Sequence, residues 1–141
     1  RRSSDLHLCS GWAIERRLRT GAILEPGSAL HRLCGGDRGR ITCAMVAEAA
    51  RQDDAQCLEA IDRLAQTAGL ALANVITLVH PERVAIGGGV ALMGDILFEP
   101  LRRYVDEKVF GQFRGRYEIV PCALGESVVV VGALLLAPRA E

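Results

Sequence analysis

The sequence predicts an α/β domain, rich in helix and holding a small number of parallel strands. Three observations carry this reading. Apolar residues recur at alternating spacings of three and four from Leu58 to Val79, a long helical stripe. Two short apolar segments, Arg83–Ile86 and Tyr117–Ala123, are too brief for helices and flank a further helical pattern, so the strands are joined by a crossover and run parallel. Three consecutive glycines, Gly87, Gly88 and Gly89, close the first of these segments, and carboxyl ends of strands are where such folds bind ligands.

Taken in order, Ser10 caps a helix over Gly11–Thr20, which Gly21 ends. Gly21 to Arg40 holds five glycines and one proline and reads as loop, with one helical turn around Ser28–Leu33. Thr42 caps a helix to about Arg51. Asp53 or Asp54 starts the next, with Gln56 in capping-box register to Asp53. Leu58, Ile61, Ala65, Ala68, Leu72, Val75 and Val79 give that helix its stripe. From Leu70 onward it is apolar nearly all round and is expected deep inside the protein. His80-Pro81 stops it. Arg83–Ile86 is expected as a buried strand. Met93, Ile96, Leu97, Leu101, Tyr104 and Val105 mark a helix to about Phe110, kinked or restarted at Pro100. In the last segment, ESVVVVGALLLA, four valines favour strand, whereas the Gly-Glu-Ser start and the Ala/Leu ending favour helix. The residues alone leave both open.

Composition sets limits on function. The chain has 141 residues, half of them hydrophobic, which suits one domain. Seventeen basic and seventeen acidic residues cancel, so no general positive field exists to hold nucleic acid or an anionic membrane. The apolar run Gly69–Val79 contains Asn74 and Thr77 and is too short to span a bilayer. Five cysteines without CxxC pairing are expected as reduced thiols of a soluble, cytoplasmic protein. His31, Cys34 and Cys43 lack the tight pairing of a structural zinc site, so no metal is expected on them. Glu48, Glu59, Asp62 and Arg63 read as solvated pairs, and Asp106, Glu107 and Lys108 as surface. The opening Arg1-Arg2-Ser3 carries no initiator methionine, which raises the expectation of sequence upstream.

Glycine reaches positive φ without steric cost and admits a ligand close to the backbone, so the run GGGVALMG invites a nucleotide. Its spacing is not GxGxxG, and no Gly-Lys-Ser/Thr follows as in a P-loop. A plain strand-to-helix turn explains the glycines equally well.

The wider sequence resembles a known family. The stretch from Ile41 to Phe110, with HPERVAIGGG as its most specific piece, is similar to the carboxyl-terminal lobe of the ROK family of bacterial sugar kinases and sugar-responsive repressors. CALGESVVVVGALLLA resembles the closing block of that family, and SGWAIERRLR the helix after its cysteine-rich loop. The resemblance implies part of the carboxyl-terminal lobe of an actin-like (ribonuclease H-like) ATPase fold, with residues 1–141 forming one domain that lacks the amino-terminal lobe. It implies that Gly87, Gly88, Gly89 and Val90 contact the adenosine of ATP, and that the final segment is a helix.

Phosphoryl transfer also needs a carboxylate base, a phosphate-gripping loop and Mg²⁺, which in this family precede the matched region. No catalytic residue is therefore expected in this chain. The family's zinc loop, one histidine and three clustered cysteines, is expected just before Ser10, where this sequence has RRSSDLHLC. His7 and Cys9 do not restore its spacing, and Asp5 is a poor substitute for the sugar-contacting glutamate. Glu126 or Ser127 is placed to approach a ligand across the cleft or to cap the final helix.

The resemblance thus implies the nucleotide-binding lobe of an ATP-dependent, glucokinase-like sugar kinase, inactive by itself, with sugar and nucleotide as the parent's ligands. The effector-sensing lobe of a transcriptional regulator is the first alternative, and a structural or dimerising domain the second. Without strands beside Arg83–Ile86, an exposed sheet edge and apolar surface are expected to favour a homo-oligomer.

Overall fold

The computed structural model describes residues 10–21 and 24–136. Helix α1 spans Gly11–Thr20, with the Ser10 hydroxyl oxygen accepting from the Ala13 N–H at 3.2 Å. Helix α2, Ala29–Cys34, is capped by Ser28 and stopped by Gly35 at φ +64°. Helix α3, Cys43–Arg51, starts at Thr42, whose hydroxyl oxygen accepts from the Met45 N–H. Each cap satisfies one of the amides that a helix start leaves without an intrahelical partner.

Helix α4, Ala55–Val79, is the longest element at 25 residues. Its cap corrects the capping-box reading. Asp54 fills that position, with Oδ1 accepting from the Cys57 N–H at 3.3 Å and Oδ2 from the Leu30 N–H at 2.9 Å. One buried carboxylate thereby serves the starts of both α2 and α4. Asp53 instead takes φ +58° in the turn between α3 and α4. At the far end His80 adopts φ +54°, and Pro81 forbids another turn.

Strand β1, Arg83–Ile86, pairs in parallel with β2, Glu118–Pro121, in a two-stranded sheet. Val84 and Ile86 of β1 and Ile119 of β2 turn inward to the core, while Arg83 and Ala85 are exposed. The expectation of a fully buried β1 is corrected accordingly, because among the described residues only one face of this sheet is covered. The second strand is also shorter than the apolar run Tyr117–Ala123.

Between the strands lie a 3-10 turn, Gly89–Met93, and helix α5, Asp95–Lys108. The helix expected from Met93 therefore begins two residues later. Gly94, at φ +69° and ψ −149°, interrupts the helical backbone. Pro100 lies inside α5, which runs through without a restart. Burial of Leu97, Phe98, Leu101 and Val105 on both sides of Pro100 outweighs the single hydrogen bond that proline forfeits. Arg102 of α5 donates from Nε and Nη2 to the Ile119 carbonyl at 3.1 and 3.0 Å, fixing α5 to β2. A further 3-10 turn, Gly125–Ser127, leads into helix α6, Val128–Leu136. The last segment is thus a helix despite its valines.

Helices α4 and α5 pack directly against each other. A Cβ built on Gly69 would lie 2.7 Å from Tyr104 Cβ and 3.4 Å from backbone atoms of Tyr104 and Val105. Asp62 joins the same pair, accepting from Tyr104 Oη at 2.8 Å and pairing with Arg103 at 3.0 Å, so it bridges helices and is not a solvated group of α4 alone. Glu59 with Arg63 and Glu48 with Arg51 are exposed pairs within one helix, as the sequence suggested.

The carboxyl half of α4 departs from expectation. Leu70, Val75, Leu78 and Val79 are exposed, Leu78 to 79%. Leu135 and Leu136 of α6 are exposed as well. An all-round apolar pattern states only that burial is favourable, and no described element covers these faces.

Gly69→Ala tests the α4–α5 contact. Alanine gains about 1 kcal/mol of helix propensity over glycine, but the clash involves atoms at or next to the backbone, and overpacking of that kind costs about 1–3 kcal/mol. The variant is expected to unfold at lower denaturant than the parent chain; equal or higher stability would show that the helices can separate at no cost.

Candidate functional site

The loop after β1 and the loop after β2 meet at the carboxyl end of the sheet. Cys122 donates its N–H to the Ile86 carbonyl at 2.7 Å, extending the ladder, and Gly88 donates to the Gly125 carbonyl at 3.4 Å. Gly88 sits at φ +82°, where a side chain would be strained, and a Cβ there would meet nothing within 4 Å. Its backbone conformation, not crowding by protein, is what requires glycine, and the space above it is open.

The 3-10 turn then sorts its side chains. Ala91 and Met93 are buried, Val90 packs against the core, and Leu92 is 62% exposed. No α-helix begins directly at the glycines. A tight turn follows them instead, whose Ala91 N–H bonds back to the Gly88 carbonyl.

Beside the turn lies a cleft of about 700 Å³. Gly89 and Leu92 form one wall, Gly11, Trp12 and Glu15 of α1 a second, and one face of α3 from Cys43 to Arg51 the third. The walls touch where a Cβ on Gly11 would be 2.9 Å from Cys43 Sγ and 3.6 Å from Val90 Cγ1. Here glycine is required by close approach.

Polar contacts hold the three walls together. Glu15 accepts the Cys43 N–H at 2.9 Å through Oε1 and pairs with Arg19 at 3.0 Å through Oε2. Arg19 donates in turn to the Ile41 carbonyl. Cys43 Sγ donates to the Gly11 carbonyl at 3.3 Å. Arg51 Nη2 donates to the Met93 carbonyl at 2.9 Å, tying α3 to the 3-10 turn. Burial, followed by the nearby Glu15 carboxylate, pushes the Cys43 thiol up to about 12. A thiol so protonated is no nucleophile near neutrality.

Of the residues singled out in the sequence, Gly89 lines the cleft, Val90 abuts its junction with α1, and Gly88 joins the two strand-end loops. Ser127 is exposed on the turn that packs against Gly89–Met93. The Glu126 side chain lies outside the described residues, as do Asp5, His7 and Cys9. Among the described residues no group of three or more His, Cys, Asp or Glu is placed to hold a metal, so His31, Cys34 and Cys43 form none. Sequence reasoning missed Gly11, Trp12, Cys43 and Arg51 as parts of the cleft. The available signal was the Ser-Gly-Trp start of α1, a glycine and the chain's only tryptophan beside a helix cap.

Known proteins resemble this chain over most of its length. The sequence profile of the ROK family matches residues 7–140. The chain belongs to the ROK family. It is 36% identical over 126 residues to a glucokinase of Thermotoga maritima, covering 89% of this chain and 39% of that protein. It is 27% identical over 96 residues to a xylose repressor of Caldicellulosiruptor bescii, covering 68% of this chain and 24% of the repressor. The fold matches a crystal structure of a ROK family glucokinase from Streptomyces griseus in complex with glucose and AMPPNP. That match has a TM-score of 0.80 and 30% identity, and covers 95% of this chain and 44% of the other. This ROK chain therefore has part of the actin-like ATPase fold of ROK sugar kinases, and spans about two-fifths of the glucokinases it matches. Among the described residues no helix is long and apolar enough to cross a membrane.

The Cys43 environment has a measurable consequence. A thiol raised from 9.0 to about 12 binds its proton more tightly in the folded state, so its contribution to stability is intact below pH 9 and is lost as pH rises toward 12. Alkylation of Cys43 by iodoacetamide is expected to be much slower at pH 8 in the folded chain than in denaturant; equal rates would show an ordinary thiol.

Proposed function

We propose that this chain is the nucleotide-binding part of an ATP-dependent sugar kinase of the glucokinase kind, with Gly87, Gly88, Gly89 and Val90 against the nucleoside. The observation that carries the reading is the opening of the strand-end glycine loop onto a cleft of about 700 Å³, within the size range of small-molecule and cofactor sites. Similarity to a glucokinase crystallised with glucose and AMPPNP supports it.

In this reading each part of the chain has a task. Gly88 keeps the turn in a conformation that leaves its outer face clear of side chains. Arg51, through the Met93 carbonyl, holds the turn at a fixed distance from α3. Glu15 and Arg19 fix the start of α3 against α1, so the cleft is formed before a ligand enters and binding need not order it. Mg²⁺ would neutralise charge on the transferring phosphoryl group, but the described residues offer it no ligand set.

The cleft holds two carboxylates, Glu15 and Glu48, and both are engaged, Glu15 with Arg19 and the Cys43 N–H and Glu48 with Arg51 and Gln52. Neither is placed as a free general base. The chain is accordingly proposed to bind nucleotide and not to transfer phosphate alone, with the sugar and the base belonging to a larger protein. The exposed apolar faces of α4 and α6 are proposed to lead this chain to self-associate. The likeness to the xylose repressor favours a second reading, in which the same lobe senses an effector sugar for a regulator.

Titration of the isotopically labelled chain with ATP distinguishes these. Amide shifts at Gly88 and Val90 at millimolar ATP are expected. Unperturbed glycine-loop amides would overturn the kinase reading and leave the regulator as the better account.

A further inference from the structure

A groove of about 440 Å³ runs between α1 and α4 and shares no lining residue with the cleft of the glycine loop. Buried Ile14 and Leu64 form part of its floor, and exposed Arg16, Arg17, Arg63 and Gln66 stand along its rim. No acidic residue lines it, although acidic and basic residues are equal in number over the whole chain. The three guanidiniums are unequally committed. Arg63 pairs with Glu59, one turn back on the same helix and outside the groove lining. Arg16 lies over the Trp12 ring, 5.0 Å from its centroid. Among the described residues neither Arg16 nor Arg17 pairs with a carboxylate. Two cations thus stand without a countercharge beside an apolar floor, and a cleft lined by one sign of charge concentrates the field on what enters it.

We propose that this groove binds a small phosphate monoester, at a site separate from the glycine-loop cleft. Two uncompensated cations match the charge of about −2 that such a group carries near neutrality. A planar guanidinium meets two phosphate oxygens at once, which an ammonium does not. The lining holds no aromatic side chain on which a base could stack, so the ester is one without a nucleobase. Ion pairs at an exposed rim each contribute little, which places the dissociation constant at about 1 mM. The site goes beyond the nucleotide reading and does not depend on it.

Trp12 is the only tryptophan in the chain, and Arg16 covers its ring, so its emission reports on the groove. The isotopically labelled chain is titrated with glycerol 3-phosphate at constant ionic strength, following that emission and the amide shifts of residues 17, 63 and 88. A saturable change in emission and at residues 17 and 63 is expected, with no shift at Gly88. Acetate at the same ionic strength is expected to bind at least about tenfold more weakly, having one charge in place of two. Arg17→Ala removes a side chain that has no carboxylate partner, and is expected to weaken the phosphate ester by about tenfold. Arg17→Lys keeps the charge without the fork and is expected to restore only part of that loss. Circular dichroism checks that each variant is folded, and Arg63→Gln, expected to weaken binding in the same direction, stands in should Arg17→Ala not fold. Equal responses to acetate and the phosphate ester, unchanged affinity in the folded variants, or shifts confined to Gly88 would overturn the proposal. The ATP titration at Gly88 and Val90 is read separately, so failure of either reading is told apart from failure of the other.

Discussion

The approach of α4 to α5 at Gly69 is the constraint on which the rest of the structure depends. With no side chain at that position, the helix backbone lies against Tyr104 and Val105, and interior packing at such density transmits position from one element to the next. The carboxyl end of α4 feeds β1 through the His80-Pro81 stop, and α5 receives the chain again after the glycines. Once the two helices are locked, the start of β1 and the start of α5 are both fixed. The seven residues from Gly87 to Met93 must span that interval. Asp62, bonded to Tyr104 and paired with Arg103, keeps the helices from sliding along each other.

A second layer of constraint acts around the cleft. Glu15 and Arg19 join α1 to α3, Cys43 joins α3 back to the Gly11 carbonyl, and Arg51 joins α3 to the 3-10 turn. These contacts are partly buried, where hydrogen bonds to charged groups are worth more than at the surface. Their effect is positional. They set the cleft's width. Asp54 performs the same service below, holding α2 to α4 through two helix starts.

Local signals in the sequence located most of the elements. Ser10 and Thr42 each act as the cap their residue type and position suggested, and β1 occupies Arg83–Ile86 as read. The errors have a common origin in information that is not local. Asp54 prevails over Asp53 because its second oxygen reaches Leu30, 24 residues away in sequence. The helix expected at Met93 is displaced by Gly94, whose conformation is set by the join to α5. Burial of Leu78 was inferred from hydrophobicity, which does not specify whether a covering element is present. In the cleft, the glycine run was visible as a pattern, whereas Trp12 and Arg51 come from helices whose meeting depends on tertiary packing. Helix α6 was ambiguous by residue type and was settled as helix only through the resemblance of its neighbourhood to a family.

The central claim is that a nucleotide lies in the cleft bounded by α1, α3 and the glycine loop. A crystal structure of this chain with AMPPNP tests it most directly. The account predicts the nucleoside against Gly88 to Val90. Nucleotide found instead in the groove of about 440 Å³ between α1 and α4, lined by Arg16, Arg17 and Arg63, would contradict it.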